Sequence, residues 1–165
     1  VSGASALNAP DSINTIKAIS SDAMYKAVMG QVGNQDIFIS VAAVADYRPS
    51  APHAEKIKKN NASLTLALSP NKDILAEVAS LPKAPFCVGF AAESHDLLAH
   101  ATAKRVRKQV PLLVGNIGPA TFGQDDNALL LVDAQGAREL PYASKQVLAT
   151  QLIEDIARRL GGAQA

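Results

Sequence analysis

The sequence predicts an α/β protein of three layers, with helices on both faces of a mostly parallel sheet that ends in an antiparallel hairpin. Strand-like apolar segments alternate with segments whose apolar residues recur every four positions, as on one face of a helix. The segment 36–45 is almost continuously apolar, which is typical of a strand covered on both faces. Two later strand-like segments flank Asp133-Ala134-Gln135-Gly136, a turn typical of hairpins. Together these observations indicate a Rossmann-like fold.

The first elements follow from the spacing of apolar residues. Residues 13–19 have strand character, and the segment SSDAMYKAVMGQVG after them is predicted to be a helix. Its fourfold spacing is formed by Met24, Val28 and Val32. Gly33 is the predicted end of this helix.

The strand at 36–45 leads into a polar loop, so that Asp46 is predicted to lie at the carboxyl end of the strand. Alternating leucines after the loop predict a short strand, and they are Leu64, Leu66 and Leu68. Ser69-Pro70 then predicts the start of a helix in the segment NKDILAEVASL.

The later elements alternate regularly. We predict a strand at 86–90, a helix at 95–108, a strand at 112–115 and hairpin strands at 128–132 and 137–140. The last helix has fourfold apolar spacing at Leu148, Leu152, Ile156 and Leu160. In such sheets ligands bind at the carboxyl ends of the strands. The residues predicted at these ends are Asp46, Ala91 and Asn116.

Composition limits the class of protein. A chain of 165 residues with 48% hydrophobic residues fits one domain, and a net charge of +1 argues against broad attachment to nucleic acid or acidic membranes. No apolar run reaches the roughly 18 to 20 residues that span a bilayer. The single cysteine, Cys87, excludes an internal disulfide and indicates a core thiol and a cytoplasmic location. Val1-Ser2-Gly3 resembles the tail of a strand, so we expect a fragment of a longer protein.

Two basic groups are candidates for binding an anion. They hold eight of the sixteen lysines and arginines: Arg48, Lys56, Lys58 and Lys59, then Lys104, Arg105, Arg107 and Lys108. Lys104 and Lys108 are four residues apart and share a helical face, so both can reach one polyanion. Solvated surface is the alternative interpretation of each group.

Pattern alone leaves the chemistry open. The sequence has no Walker A loop, no G-x-G-x-x-G and no G-x-S-x-G, and its three histidines have no metal-ligand spacing. Asp46 is a candidate to bind a ribose hydroxyl or Mg²⁺, or else to pair with Arg48.

Five motifs follow one another along the chain: AAVADYRP followed by EKIKK, VGFAAES, AKRVRKQVPLLVGN and DDNALLLVD. In order and spacing they resemble the phosphopantothenate-cysteine ligase (phosphopantothenoylcysteine synthetase) domain of the bacterial bifunctional coenzyme A biosynthesis flavoprotein. The resemblance covers residues 1–165, without the family's N-terminal glycine-rich segment containing SNxSSGKMG. In that family CTP activates 4'-phosphopantothenate as an acyl-cytidylate with release of pyrophosphate, and the cysteine amine then displaces CMP.

The resemblance also implies site residues and partners. The residues implied to bind CTP are Ala42, Ala43, Asp46, Lys56, Lys72, Asp73, Ile74, Leu75, Phe90, Lys104 and Lys108. Lys56 is also the implied catalytic residue, since a cation there would offset charge growing on the triphosphate. Lys72 departs from the family, which usually has proline at this position. Mg²⁺ is implied with CTP, and FMN only on a possible upstream decarboxylase domain.

Three further expectations concern assembly and the competing interpretations. The family forms homodimers, and the hairpin at 128–140 is the candidate contact because it offers a strand edge. Without the SNxSSGKMG segment, whose asparagine acts on the acyl-cytidylate in the family, the alternative is a non-catalytic nucleotide-binding or dimerisation fragment. The third interpretation is a nucleic-acid binder that uses helix residues 104–108. The near-neutral net charge argues against it, and three Tyr and four Phe offer little surface for stacking bases.

Overall fold

The computed structural model describes residues 1–5, 7–53, 55–58, 63–117, 121 and 123–162. Its helices are α1 (Ser21–Met29), α2 (Ile74–Ala79), α3 (Leu97–Lys108) and α4 (Lys145–Gly162), and a 3₁₀ turn spans Val32–Asn34. Its strands are β1 (Ile37–Ser40), β2 (Tyr47–Pro49), β3 (Leu68–Pro70), β4 (Phe86–Glu93), β5 (Leu112–Ile117), β6 (Asp126–Val132) and β7 (Ala137–Ser144).

Five strands form the main sheet in the order β1-β4-β5-β6-β7, and β2 and β3 form a separate antiparallel pair. β1, β4 and β5 are parallel, whereas β6 and β7 each run antiparallel to the preceding strand. The turn between β6 and β7 is closed by Asp133, whose Oδ1 accepts hydrogen bonds from the N–H groups of Gln135 and Gly136 at 2.8 and 3.1 Å. Gly136 has φ 141°, which side-chain-bearing residues rarely adopt. The predicted fold class is confirmed.

One face of the sheet is covered by α1, α2 and α3. Glycines in the strands allow two of these helices to approach closely. A Cβ at Gly89 would lie 2.6 Å from Leu75 Cδ2 of α2, and one at Gly115 would lie 2.8 Å from Leu97 Cδ1 of α3. Leu75 is 5% exposed, and burial of a leucine side chain to this extent contributes roughly 1.5 to 3 kcal/mol. Cys87 is 1% exposed in this core, as predicted, and burial raises the pKa of its thiol to about 11.

The opposite face is covered by α4. Its predicted apolar stripe is confirmed, because Leu148, Leu152 and Ile156 are buried against β4, β5 and β6. The side chain of Asp155 is 6% exposed, and it accepts hydrogen bonds from Arg138 of β7 and from Arg159. These bonds tie the last helix to the hairpin. No helix among the described residues is both long and apolar enough to cross a bilayer.

Two predictions in the first third of the chain were wrong. Residues 13–19 form no strand: Lys17 makes one isolated bridge with Ser2, and Ile13 and Ile19 are exposed. The first helix ends at Met29, before the predicted Gly33, because the chain tightens into a 3₁₀ turn that still buries Val32.

The elements around the polar loop also differ from prediction. The strand predicted at 36–45 is paired only over Ile37–Ser40, so Asp46 lies beyond its end. Leu64 and Leu66 lie outside β3, which pairs with the unpredicted β2. α2 begins after Asp73, whose side chain caps it by accepting a hydrogen bond from the Ala76 N–H at 3.1 Å, and not at Ser69-Pro70.

Candidate functional site

The carboxyl ends of the parallel strands form a stepped edge. β1 pairs with β4 up to Ser40 opposite Gly89, whereas β4 and β5 stay paired up to Glu93 opposite Ile117. Residues 90–93 therefore extend past the end of β1, and the chain leaves the sheet at this step. In open α/β sheets, ligands bind outside the carboxyl ends of the strands, which is the edge where this step lies.

The loop after β1 contains three of the residues predicted to bind nucleotide. Ala42, Ala43 and Asp46 are all exposed. The loop is held to the end of β3 by two hydrogen bonds from Asn71: its N–H donates to the Asp46 carbonyl at 2.7 Å, and its Nδ2 donates to the Ala45 carbonyl at 2.8 Å. The backbone of this loop is thus anchored while the Asp46 carboxylate faces solvent.

Asp46 and Arg48 do not form the ion pair that was one interpretation of the sequence. Arg48 Nη1 instead donates to the Pro70 carbonyl at 2.7 Å and to Asn71 Oδ1 at 3.0 Å. Because the guanidinium is directed toward the end of β3, the Asp46 carboxylate stays available for a ligand.

The KDIL stretch divides into polar and buried halves. Lys72 is exposed, with its Nζ 4.0 Å from the centre of the Tyr25 ring, a cation–π contact. Ile74 and Leu75 are buried in the core, at 7% and 5% exposure. Their side chains are committed to packing, so only their backbone groups can contribute to a ligand site.

Asp73 joins this stretch to α3. Lys108 Nζ lies 3.0 Å from each carboxylate oxygen of Asp73, and the Lys108 side chain is 16% exposed. Burial raises the pKa of Asp73, but hydrogen bonds from Lys108 and the Ala76 N–H outweigh it, and the pKa is lowered overall. The predicted contacts Asp73 and Lys108 are therefore neighbours in the fold.

Lys104 is also paired with a carboxylate. Its Nζ lies 3.8 Å from Oε1 of Glu93, the last residue of β4, and His100 Nδ1 lies 3.5 Å from the other oxygen. His95 contacts the His100 ring edge-on at 5.1 Å between centroids. Lys104 and Lys108 thus lie on one helical face, as predicted. Lys104 is paired with Glu93 at the end of β4, and Lys108 with Asp73 at the start of α2.

The remaining basic residues of α3 are arranged differently. Arg105 Nη1 donates to the Val110 carbonyl at 3.3 Å, and Arg107 is exposed. Of its four cations, the helix thus pairs only Lys104 and Lys108 with Glu93 and Asp73.

Two predicted contacts are not joined to this group. Phe90 packs on the opposite face of the sheet, in the cluster that contains Leu148 and Leu152 of α4. Lys56 is exposed, and no contact among the described residues connects it to the strand ends. Its neighbour Lys59 lies outside the described residues.

The other two strand-end predictions are placed inside strands. Ala91 is buried within β4, and Asn116 is the second-last residue of β5. Asn116 Nδ2 donates to Thr121 Oγ1 at 2.9 Å.

The site is an open edge. Two shallow depressions, of about 710 Å³ beside α3 and about 370 Å³ between the N-terminal segment and β1, are lined by none of the residues predicted to bind nucleotide. Among the residues that the structure describes, no group of three or more His, Cys, Asp or Glu side chains is placed to hold a metal.

Sequence reasoning missed Asn71 and Glu93. Both lie inside or beside the quoted motifs, Asn71 directly before Lys72 and Glu93 in VGFAAES. Asn71 lies two residues before the helix cap Asp73, and an asparagine side chain has both a donor and an acceptor. This pattern in the sequence could have indicated that Asn71 connects two segments.

A family model and two curated relatives point to the same group of proteins. The family model described as the DNA/pantothenate metabolism flavoprotein C-terminal domain matches residues 1–160. The chain is 40% identical over 167 residues to the coenzyme A biosynthesis bifunctional protein CoaBC of Vibrio vulnificus (strain CMCP6), covering 98% of this chain and 42% of that protein. It is 38% identical over 166 residues to the protein of the same name in Escherichia coli (strain K12), covering 96% and 41%.

A solved structure shares the fold. The crystal structure of the C-terminal domain of the coenzyme A biosynthesis bifunctional protein CoaBC matches with a TM-score of 0.80 at 28% identity. The match covers 97% of this chain and 72% of that one. The chain therefore spans less than half the length of the curated relatives and most of a solved domain.

Proposed function

Because the chain belongs to the family of DNA/pantothenate metabolism flavoprotein C-terminal domains, we propose that it performs the phosphopantothenate-cysteine ligase reaction of coenzyme A biosynthesis. In this reaction the carboxylate of 4'-phosphopantothenate attacks the α-phosphorus of CTP, and pyrophosphate leaves. The amine of cysteine then attacks the acyl-cytidylate, loses a proton and displaces CMP, which forms the amide.

One observation supports this proposal most directly. According to the resemblance, three segments take part in CTP binding. These segments are far apart in sequence, but they are in contact in the folded chain. Asn71 anchors the loop at 42–46 beside Lys72-Asp73, and Asp73 contacts Lys108 on α3. A triphosphate at this edge would meet two half-buried lysines and an anchored backbone.

The roles of the residues follow from this arrangement. Lys104 and Lys108 would bind the triphosphate, exchanging their carboxylate partners for phosphate oxygens. Lys56 would approach the same group and stabilise charge on the departing pyrophosphate. The Phe90 side chain packs on the opposite face of the sheet, so Phe90 would contribute through its backbone groups. Ala42 and Ala43 would read the base through their backbone groups. Ile74 and Leu75 would contribute through their backbone.

Mg²⁺ with CTP fits the donor set. Mg²⁺ keeps several waters and needs only one or two protein carboxylates beside phosphate oxygens. The exposed Asp46 carboxylate is the residue that would bind it. When bound, the ion would neutralise charge on the β- and γ-phosphates.

Cofactor and location are further proposals. FMN would belong to a decarboxylase domain in the remainder of a bifunctional protein such as the relatives, which this chain matches over 42% of their length. A cytoplasmic location stays a prediction from the single cysteine.

A homodimer is proposed with the hairpin at 128–140 as its contact. β7 is the last strand in the order of the main sheet, so its outer edge is available for pairing among the described residues. Tyr142, farther along the same strand, is 70% exposed. A concentration-independent monomer mass in sedimentation would contradict this proposal.

A second candidate is a fragment that binds nucleotide, or supports dimerisation, without completing the reaction. It is favoured by the position of Lys56, the implied catalytic residue, which no contact among the described residues connects to the strand ends. The two candidates differ in turnover, because only the ligase releases pyrophosphate in the presence of 4'-phosphopantothenate.

Calorimetry with CTP and ATP, each with Mg²⁺, tests the proposed site. We expect CTP to bind more tightly, because the anchored loop at 42–46 is suited to reading a pyrimidine edge. Equal affinity for the two nucleotides would remove the cytidylate assignment. A pyrophosphate-release assay on the same sample, with 4'-phosphopantothenate and cysteine added, then separates the ligase from the fragment.

A further inference from the structure

Both polar groups of the Asn71 side chain, the NH₂ and the carbonyl oxygen, form hydrogen bonds with the distant segment 45–48. Its Nδ2 donates to the Ala45 carbonyl at 2.8 Å, and its Oδ1 accepts from Arg48 at 3.0 Å. Its backbone N–H donates to the Asp46 carbonyl at 2.7 Å. A side-chain amide offers a donor and an acceptor on one planar group, so one asparagine can make both bonds.

Arg48 orients the amide from the other side. The same Nη1 that donates to Asn71 Oδ1 also donates to the Pro70 carbonyl at 2.7 Å. An oxygen committed to Arg48 leaves the NH₂ group directed at Ala45. The two residues therefore act as one unit, which we call the Arg48–Asn71 clamp.

The clamp lies at the functional end of the β2–β3 hairpin. β2 and β3 pair over only three residues each, and an isolated two-stranded sheet of this size is marginally stable. At the other end, the Ser50 and Ser69 hydroxyls share a hydrogen bond of 2.6 Å. The clamped end touches the loop at 42–46 and Lys72-Asp73, whereas the serine end touches neither in any described hydrogen bond.

We propose that Asn71, oriented by Arg48, is a positioning residue that holds the loop at 42–46 against the start of α2 and so shapes the nucleotide site. The expected effect on nucleotide binding rests on the proposed function. The clamp itself rests on the four hydrogen bonds alone.

Asn71→Asp is the sharpest variant. It keeps the acceptor for Arg48 but places a second oxygen opposite the Ala45 carbonyl, where the wild type has a donor. Asn71→Ala removes both side-chain bonds and keeps the backbone N–H. Ser69→Ala removes the serine hydrogen bond from the same hairpin and is the matched control.

Two measurements on the same chain are needed. Hydrogen exchange of the residue-71 amide, compared with that of Val88 in the buried strand β4, reports opening of the clamp relative to the whole fold. Calorimetric titration with CTP and Mg²⁺ reports the consequence for binding. We expect both Asn71 variants to exchange faster at residue 71 but not at Val88, and to bind CTP about five- to tenfold more weakly.

The double variant Arg48→Ala with Asn71→Ala tests whether the pair acts as a unit. We expect its effect on CTP affinity to be smaller than the product of the two single effects, because either change alone opens the clamp. Ser69→Ala should leave both exchange at residue 71 and CTP affinity unchanged.

The possible outcomes test the existence of the clamp, its positioning role and the proposed function separately. Unchanged exchange at residue 71 in both Asn71 variants, or an equal effect of Ser69→Ala, would overturn the clamp. CTP affinity unchanged in variants that exchange faster would overturn the positioning role. A wild-type chain that binds no CTP would refute the proposed function, while the exchange data would still decide the clamp.

Discussion

Asp155→Asn tests the ionic connection between α4 and the hairpin. Asp155 accepts hydrogen bonds from Arg138 at 2.6 Å, from Arg158 at 3.0 Å and from Arg159 at 2.6 Å, and its side chain is 6% exposed. The substitution keeps the shape of the side chain and removes its charge.

The magnitude follows from what each arginine can do afterwards. The side chains of Arg138 and Arg158 are 49% and 71% exposed, so water can replace the lost carboxylate at both. Arg159 is 26% exposed and keeps its hydrogen bond to Asp133 at 2.7 Å. Leaving a buried ion without its partner lowers the free energy of unfolding by roughly 3 to 5 kcal/mol. The loss from Asp155→Asn should be smaller, and we expect about 1.5 to 3 kcal/mol.

Thermal and urea unfolding measure this loss. For a chain of this size, about 1.5 to 3 kcal/mol lowers the melting temperature by roughly 3 to 12 °C. Glu154→Gln is the matched control, since it makes the same change in charge on the adjacent, exposed residue of α4. We expect that control to change the melting temperature little.

The pH dependence gives a second check. Burial raises the pKa of Asp155, but hydrogen bonds and charges from Arg159 and Arg138 outweigh it, so the folded-state pKa is lowered. Its contribution is then complete above the unfolded pKa of about 3.9 and is lost as the pH falls through the folded-state pKa. The difference between wild type and Asp155→Asn should narrow below about pH 4. A loss no larger than that of Glu154→Gln, or a difference constant with pH, would refute the reasoning.

Three other substitutions test the site and the core. Lys56→Gln should slow acyl-cytidylate formation about a hundredfold in a single-turnover assay of pyrophosphate release, while CTP affinity changes less. An unchanged rate would mean that the KIKK segment is only a solvated loop. Lys108→Ala should weaken CTP binding in calorimetry by about tenfold, whereas Arg107→Ala on the same helix should not change it. Equal effects of the two substitutions would argue against a specific role for the half-buried Lys108. Gly89→Ala should cost about 1 to 3 kcal/mol in urea unfolding because its Cβ has no room, while Gly33→Ala, with nothing within 4 Å, should be tolerated.

The sequence alone determined the elements that depend on local periodicity. The last helix was predicted from its fourfold leucine and isoleucine spacing, and Leu148, Leu152 and Ile156 are buried along one face of α4 while Leu160 is partly buried. The late hairpin was predicted from its turn, and Gly136 has the positive φ that the turn requires. The shared face of Lys104 and Lys108 follows from helix geometry in the same way.

Tertiary structure decided where the strands end and which polar groups meet. The apolar run after Asp36 continues to Ala45, but the ladder to β4 ends at Ser40, since a strand ends where its partner is lost and not where its composition changes. Lys108 meets Asp73 across 35 positions, and Asn71 meets Ala45 across 26. Such contacts arise from strand and helix packing between distant segments, and for that reason the sequence indicated the residue types of the site while only the folded chain determined their partners.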